Sequence, residues 1–181
     1  MKRVLLGLMV LLLFSHLCHA QAKEPGGGGI VYGDNLAVIT GAPDGWVLDN
    51  ESGVNQGVHA VFYPTGSSWA KAPEVMYINI ALLNGKSLDA FMATDEEAFR
   101  KNSATLKTQK LPPIKLSSGE TAEVRLFTGD MHGNYECIAY ASKFDSVAMY
   151  VLSCRSKEGF EKALPAFRSL VTQSMLAKRD H

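Results

Sequence analysis

Asp130, His132 and Glu136 bracket the glycine-flanked turn 129–134. Two carboxylates and an imidazole so close could hold a divalent ion. Their spacing fits neither a zinc nor a calcium template, and a polar turn of this kind forms without a metal. His59, in Val58-His59-Ala60-Val61, falls in an expected strand, where it could act as a ligand or base at a sheet edge. A histidine on the exposed face of a strand is the plainer reading. The Gly-x-Ser-x-Gly elbow of serine hydrolases is absent, and Ser67 and Ser68 sit in a loop. Glu96 and Glu97 are adjacent on an expected helix, so they face different directions and form no carboxylate pair. Trp69, among polar neighbours in the loop 65–73, is a candidate for partner binding, because exposed tryptophans are enriched at interfaces. Packing over a sheet edge is its alternative. Trp46 is expected in the core. These residues make no catalytic set, and no cofactor is implied.

The chain's start fixes where such residues would work. Lys2 and Arg3 precede an apolar run, 4–14, and a short polar exit ending Cys18-His19-Ala20. That order is a secretory signal with small residues at the positions a signal peptidase reads. A membrane span needs roughly 20 apolar residues, more than this run has. Cleavage is expected after Ala20. Acylation of Cys18 is disfavoured by the bulky Leu17 before it. The mature protein is therefore expected to be exported, periplasmic or secreted, with no transmembrane segment. The chain has 18 basic and 18 acidic side chains; losing Lys2 and Arg3 leaves 16 against 18, a net charge of −2. No basic cluster is present to neutralise phosphates, which argues against nucleic acid.

Residues 21–29 end in four glycines and read as a flexible leader, because glycine loses most entropy on ordering. The Lys-Ser/Thr that completes a phosphate loop does not follow them. A single domain is expected over 30–177. Residues 30–32 and 36–39 flank the turn-forming Gly33-Asp34-Asn35 and predict a hairpin. Strands are expected over 58–63 and 75–83. Leu88, Phe91, Met92 and Phe99 fall at helical spacing behind a capping Ser87, predicting a helix over 87–102. A polar connection with Pro112-Pro113 follows, which cannot be a central strand. Strands are expected over 122–128, 135–144 and 147–155, the last two apolar on both faces and hence covered on both. A closing helix over 157–176 buries Phe160, Ala163, Leu164, Phe167, Leu170 and Val171, with a kink or restart at Pro165. The fold class is α+β: a three-layer α-β-α sandwich with a mainly antiparallel sheet and two main helices.

Only Cys137 and Cys154 survive signal removal, and export favours their oxidation. A two-residue turn at Asp145-Ser146 would pair Phe144 with Val147. Counting outward, it would also pair Cys137 with Cys154, which predicts a disulfide. A one-residue shift of the turn is expected to put the two thiols on opposite faces.

Pro43-Asp44-Gly45-Trp46 after the first strands resembles the Pro-x-Gly-Trp of the PsbP-like fold group, which includes PsbP, Mog and DcrB. Residues 160–174, with Phe160, Pro165, Phe167 and Ser174, are similar to that group's closing helix. The resemblance implies the same sandwich and an accessory or binding role without catalysis. The expected function is an exported, non-catalytic accessory or binding domain of the cell envelope, recognising an envelope protein or a small ligand. The alternatives are a metal-dependent or hydrolytic enzyme with a site near His132, and a structural envelope subunit.

Overall fold

The computed structural model describes residues 27–179; the expected export signal and residues 21–26 of the leader lie outside them. Apolar alternation on either side of Gly33-Asp34-Asn35 gives the hairpin of β1 (Gly28–Tyr32) and β2 (Leu36–Gly41). Gly28 and Gly29 pair with Gly41 and Thr40, so the first strand begins before Ile30. A backbone ladder needs no side chain, which is why a glycine run can serve as a strand here. After the closing helix the structure has a strand the helical reading missed: β10 (Met175–Lys178) lies antiparallel to β2 and completes a three-stranded sheet.

The remaining strands are β3 (Trp46–Asp49), β4 (Val61–Pro64), β5 (Glu74–Leu82), β6 (Lys107–Lys115), β7 (Thr121–Thr128), β8 (Tyr135–Lys143) and β9 (Ser146–Cys154). They form one sheet in the order β3-β4-β5-β9-β8-β7-β6, antiparallel throughout. The prolines 112 and 113 lie in β6 at the sheet's edge, where the register breaks between Leu111 and Ile114. An edge is where a strand tolerates residues without an N–H. β8 and β9 lie inside the sheet and are buried on both faces over most of their length, as their two apolar faces require.

Two helices close the layers. α1 (Leu88–Asn102) starts at Ser87, whose Oγ accepts from the Ala90 N–H at 3.2 Å. α2 (Lys157–Gln173) runs as one helix through Pro165, so of the two expected alternatives, a kink or a restart, the restart does not occur. Its apolar stripe and the small sheet cover one face, burying Trp46, Phe62, Met76, Tyr150, Phe167 and Leu170 in one cluster. α1 covers part of the other face over Phe127, Ile138, Tyr140 and Val147. Truncating a fully buried ring such as Phe167 to alanine costs about 3–5 kcal/mol. The architecture is the expected α-β-α sandwich, with the added small sheet beside α2.

The β8–β9 register corrects the disulfide. Lys143 pairs with Ser146, and the turn is Phe144-Asp145, with φ of 53° and 54°. Left-handed angles at both central residues define a type I′ hairpin. The turn is held from outside: the Leu83 N–H reaches the Asp145 carbonyl at 2.9 Å, and the Gly85 N–H reaches its Oδ1 at 3.0 Å. Cys137 therefore faces Leu152, and Cys154 faces Tyr135. Sliding the turn by one residue moves the pairing by two, so the thiols stay on one face but stand diagonally. Diagonal neighbours lie roughly 7–8 Å apart, beyond the reach of a disulfide. Both cysteines are free and buried.

Candidate binding surface around strand β5

β5 collects three of the residues singled out from the sequence. Period-two alternation puts Met76, Ile78 and Ile80 toward α2, and Val75, Tyr77, Asn79 and Ala81 toward the α1 side. α1 leaves much of that second side open: Val75, Tyr77, Asn79 and Ala81 are all half-buried. The loop after β4 returns Trp69 onto this surface, half-buried and edge-on to Tyr77, with ring centroids 6.2 Å apart. Such aromatic pairs stabilise by about 0.5–1.5 kcal/mol beyond area burial.

On its other side the Tyr77 hydroxyl donates to Glu136 Oε1 at 3.5 Å. Burial pushes the Glu136 carboxyl up to about 7, and the charges of Asp130 and Asp95 add to the shift against the lowering hydrogen bond from Tyr77. Burial likewise pushes the Tyr77 and Tyr140 hydroxyls well above the usual tyrosine range. Tyr140 donates to Asp95 Oδ2 at 2.6 Å, tying α1 to β8. A carboxyl titrating near neutrality could move a proton. Its hydrogen-bond partner here is Tyr77, which remains protonated, so the contact ties β5 to β8 while the separate Tyr140–Asp95 bond ties β8 to α1.

The three turn residues do not form one centre. Asp130 Oδ1 accepts from the His132 and Asn134 N–H groups at 3.0 and 2.7 Å, and its Oδ2 accepts from Asn134 Nδ2 at 2.9 Å. Its lone pairs thus shape the turn itself. His132 is exposed, while Glu136 faces inward toward Tyr77. Among the described residues, no group of three His, Cys, Asp or Glu side chains is placed to hold a metal ion.

His59 is exposed in a bend ahead of β4, outside the strand expected for it. It lines a cleft of about 270 Å³ between the β1–β2 hairpin tip and the open half of β5, with Tyr32, Asp34, Asn79 and Ile80. Asn79 joins this cleft to the Tyr77 surface. A second cleft, of about 300 Å³, lies where Asp44-Gly45-Trp46 meets Gly159, Lys162 and Ala163 of α2, so the two sequence motifs of the fold group face each other across it. Sequence reading missed Tyr77 and Asn79. The signal was there, since Asn79 is the strongly polar residue within the otherwise apolar and aromatic run 75–83.

No protein-family model matches the sequence, and no curated protein matches it. Solved structures do match. The solution structure of cyanobacterial PsbP (CyanoP) from Synechocystis superposes with a TM-score of 0.55 at 13% identity, over 88% of this chain and 97% of that one. The Saccharomyces cerevisiae Ran-binding protein Mog1p gives 0.48 at 12% identity, over 81% and 88%. A point mutant of Mog1 gives 0.47 at 14%, over 82% and 89%. The chain has the PsbP-like fold. Among the described residues no helix is long and apolar enough to cross a membrane.

Proposed function

We propose that this protein is an exported, non-catalytic accessory domain of the cell envelope that binds a protein partner through the surface around β5. The observation that carries this reading is the Trp69–Tyr77 pair, two half-exposed rings on the side of a central strand that α1 leaves uncovered. Aromatic anchors beside polar groups are the composition of binding hot spots. Asn79 and Glu136 supply the polar groups. The PsbP-like fold agrees with an accessory role by analogy, which supports it without adding chemistry.

Isolation of the tagged mature protein from its native envelope, wild type beside Trp69→Ala, tests the reading. A defined protein partner present with wild type and depleted at least tenfold with Trp69→Ala supports it. Equal recovery with both, or a stoichiometric metal lost on His132→Ala, contradicts it.

A further inference from the structure

The outer edge of β5 is half open, and the loop before β4 explains why. Ile78 donates its N–H to the Ala60 carbonyl at 3.2 Å, while β4 itself pairs with β5 only at Met76 and Tyr77. Had β4 reached further back, Val58 would have faced Ile80. Instead the Val58 N–H reaches the Gly53 carbonyl at 3.1 Å, and a 3₁₀ turn at Val54–Gln56 carries the chain away. Gly53 permits this departure: a Cβ there would meet the Val58 carbonyl oxygen at 2.7 Å and Val61 Cγ1 at 2.5 Å. Main-chain direction alternates along a strand. The odd-numbered residues from Tyr77 to Leu83 point their N–H and C=O groups at β9 and the turn after β8. Ile78, Ile80 and Leu82 therefore point theirs outward, and beyond Ile78 no described strand meets them.

We propose that this edge is a docking site for one extended peptide segment of the partner protein, added antiparallel to β5 in line with β4. The inference rests on the reading that the domain binds a protein. Unpaired backbone groups at strand spacing are complementary to another strand's backbone, the basis of recognition by strand addition. The cleft is recessed between Tyr32-Gly33-Asp34 on one side and Gly57 and His59 on the other, with a volume of about 270 Å³. A recess walled on both sides suits a single short strand rather than the edge of a second folded copy, which would bring its neighbouring strands with it. The β6 rim of the sheet differs in character from this half-open edge. β6 carries Pro112, Pro113, Lys107, Lys110 and Lys115, the residues that blunt an exposed edge, whereas β5 from Ile78 to Leu82 has neither proline nor lysine. The hairpin tip sets the side-chain preference. Gly33 packs so closely on Ile80 that a Cβ would lie 2.4 Å from Ile80 Cγ2, so the peptide residue opposite Ile80 is small.

Amide hydrogen exchange on the mature protein, with acetyl-Thr-Thr-Ala-Thr-Thr-amide as probe, tests the site. In the free protein the Ile80 and Leu82 amides exchange faster than those of Tyr77, Asn79 and Ala81. Saturating peptide slows those two at least fivefold; N-methylating the central alanine or replacing it with leucine removes the effect. The proposal is overturned by unchanged exchange at Ile80 and Leu82, or by equal slowing with the N-methylated peptide. It is also overturned if these amides are protected in the free mature protein but exposed in a chain starting at Gly27, which would make the leader the occupant. Loss of a native partner with Trp69→Ala, with these amides indifferent to partner and peptide alike, would sink this inference alone and leave the binding function standing.

Discussion

Trp69 stands edge-on to Tyr77, with the ring planes at 88°. The contact pins the loop after β4 to the middle of the sheet, beside the Tyr77–Glu136 hydrogen bond. The indole is only half-buried, so truncation has a bounded cost. Trp69→Ala is expected to lower stability by about 1–2 kcal/mol, less than a fully buried ring would. A thermal melt followed by circular dichroism checks this, and a fall of more than about 10 °C would mean that Trp69 belongs to the core.

Glu136 gives the fold a pH dependence of defined sign. Its carboxyl is raised to about 7 in the folded state from an ordinary value of 4.5, so the native protein holds a proton that the unfolded chain releases. That contribution is complete below about 4.5 and is lost as pH rises through about 7. Glu136→Gln keeps the shape without the charge. The variant is expected to melt roughly 7–14 °C above wild type at pH 8 and level with it at pH 4.5. Melting curves across that range decide it; an unchanged difference at both ends would contradict the assignment.

The two thiols should be present and hidden. Burial pushes Cys137 and Cys154 each up to about 12, with mutual repulsion adding to the rise at Cys137. The thiolate is the reactive form, so neither should react with a thiol reagent at pH 8 within minutes, and both should after denaturation without reductant. A disulfide found by non-reducing peptide mapping would refute the β8–β9 register.

The domain's first residues can be tested by truncation. A chain starting at Gly27 retains the pairs Gly28–Gly41 and Gly29–Thr40, and one starting at Ile30 does not. With backbone hydrogen bonds contributing about 1 kcal/mol each, the shorter chain is expected to melt about 2–6 °C lower. Equal melting temperatures would return these glycines to the leader.

What the sequence made legible were features set by local chemistry. Ser87 caps α1, Gly33-Asp34-Asn35 turns the first hairpin, and two apolar faces placed β8 and β9 inside the sheet. The register of β8 against β9 was not legible. A left-handed Phe144 is locally unfavourable and is selected by contacts from Leu83 and Gly85, far along the chain. β10 was hidden for a related reason, since residues 175–178 become a strand only because β2 offers an edge. Of the candidate site, Trp69, His59 and Glu136 were visible as residue types. Their gathering around Tyr77 and Asn79 depends on strand order, which no local pattern encodes.

A photo-crosslinker tests the binding claim most directly. Benzoylphenylalanine is placed at position 69 or, as a control, at the exposed Met131 in the turn beyond β7, and the cells are irradiated with the envelope intact. One discrete protein adduct is expected from position 69 and none from 131. No adduct at 69, or the same adduct from both positions, would contradict it.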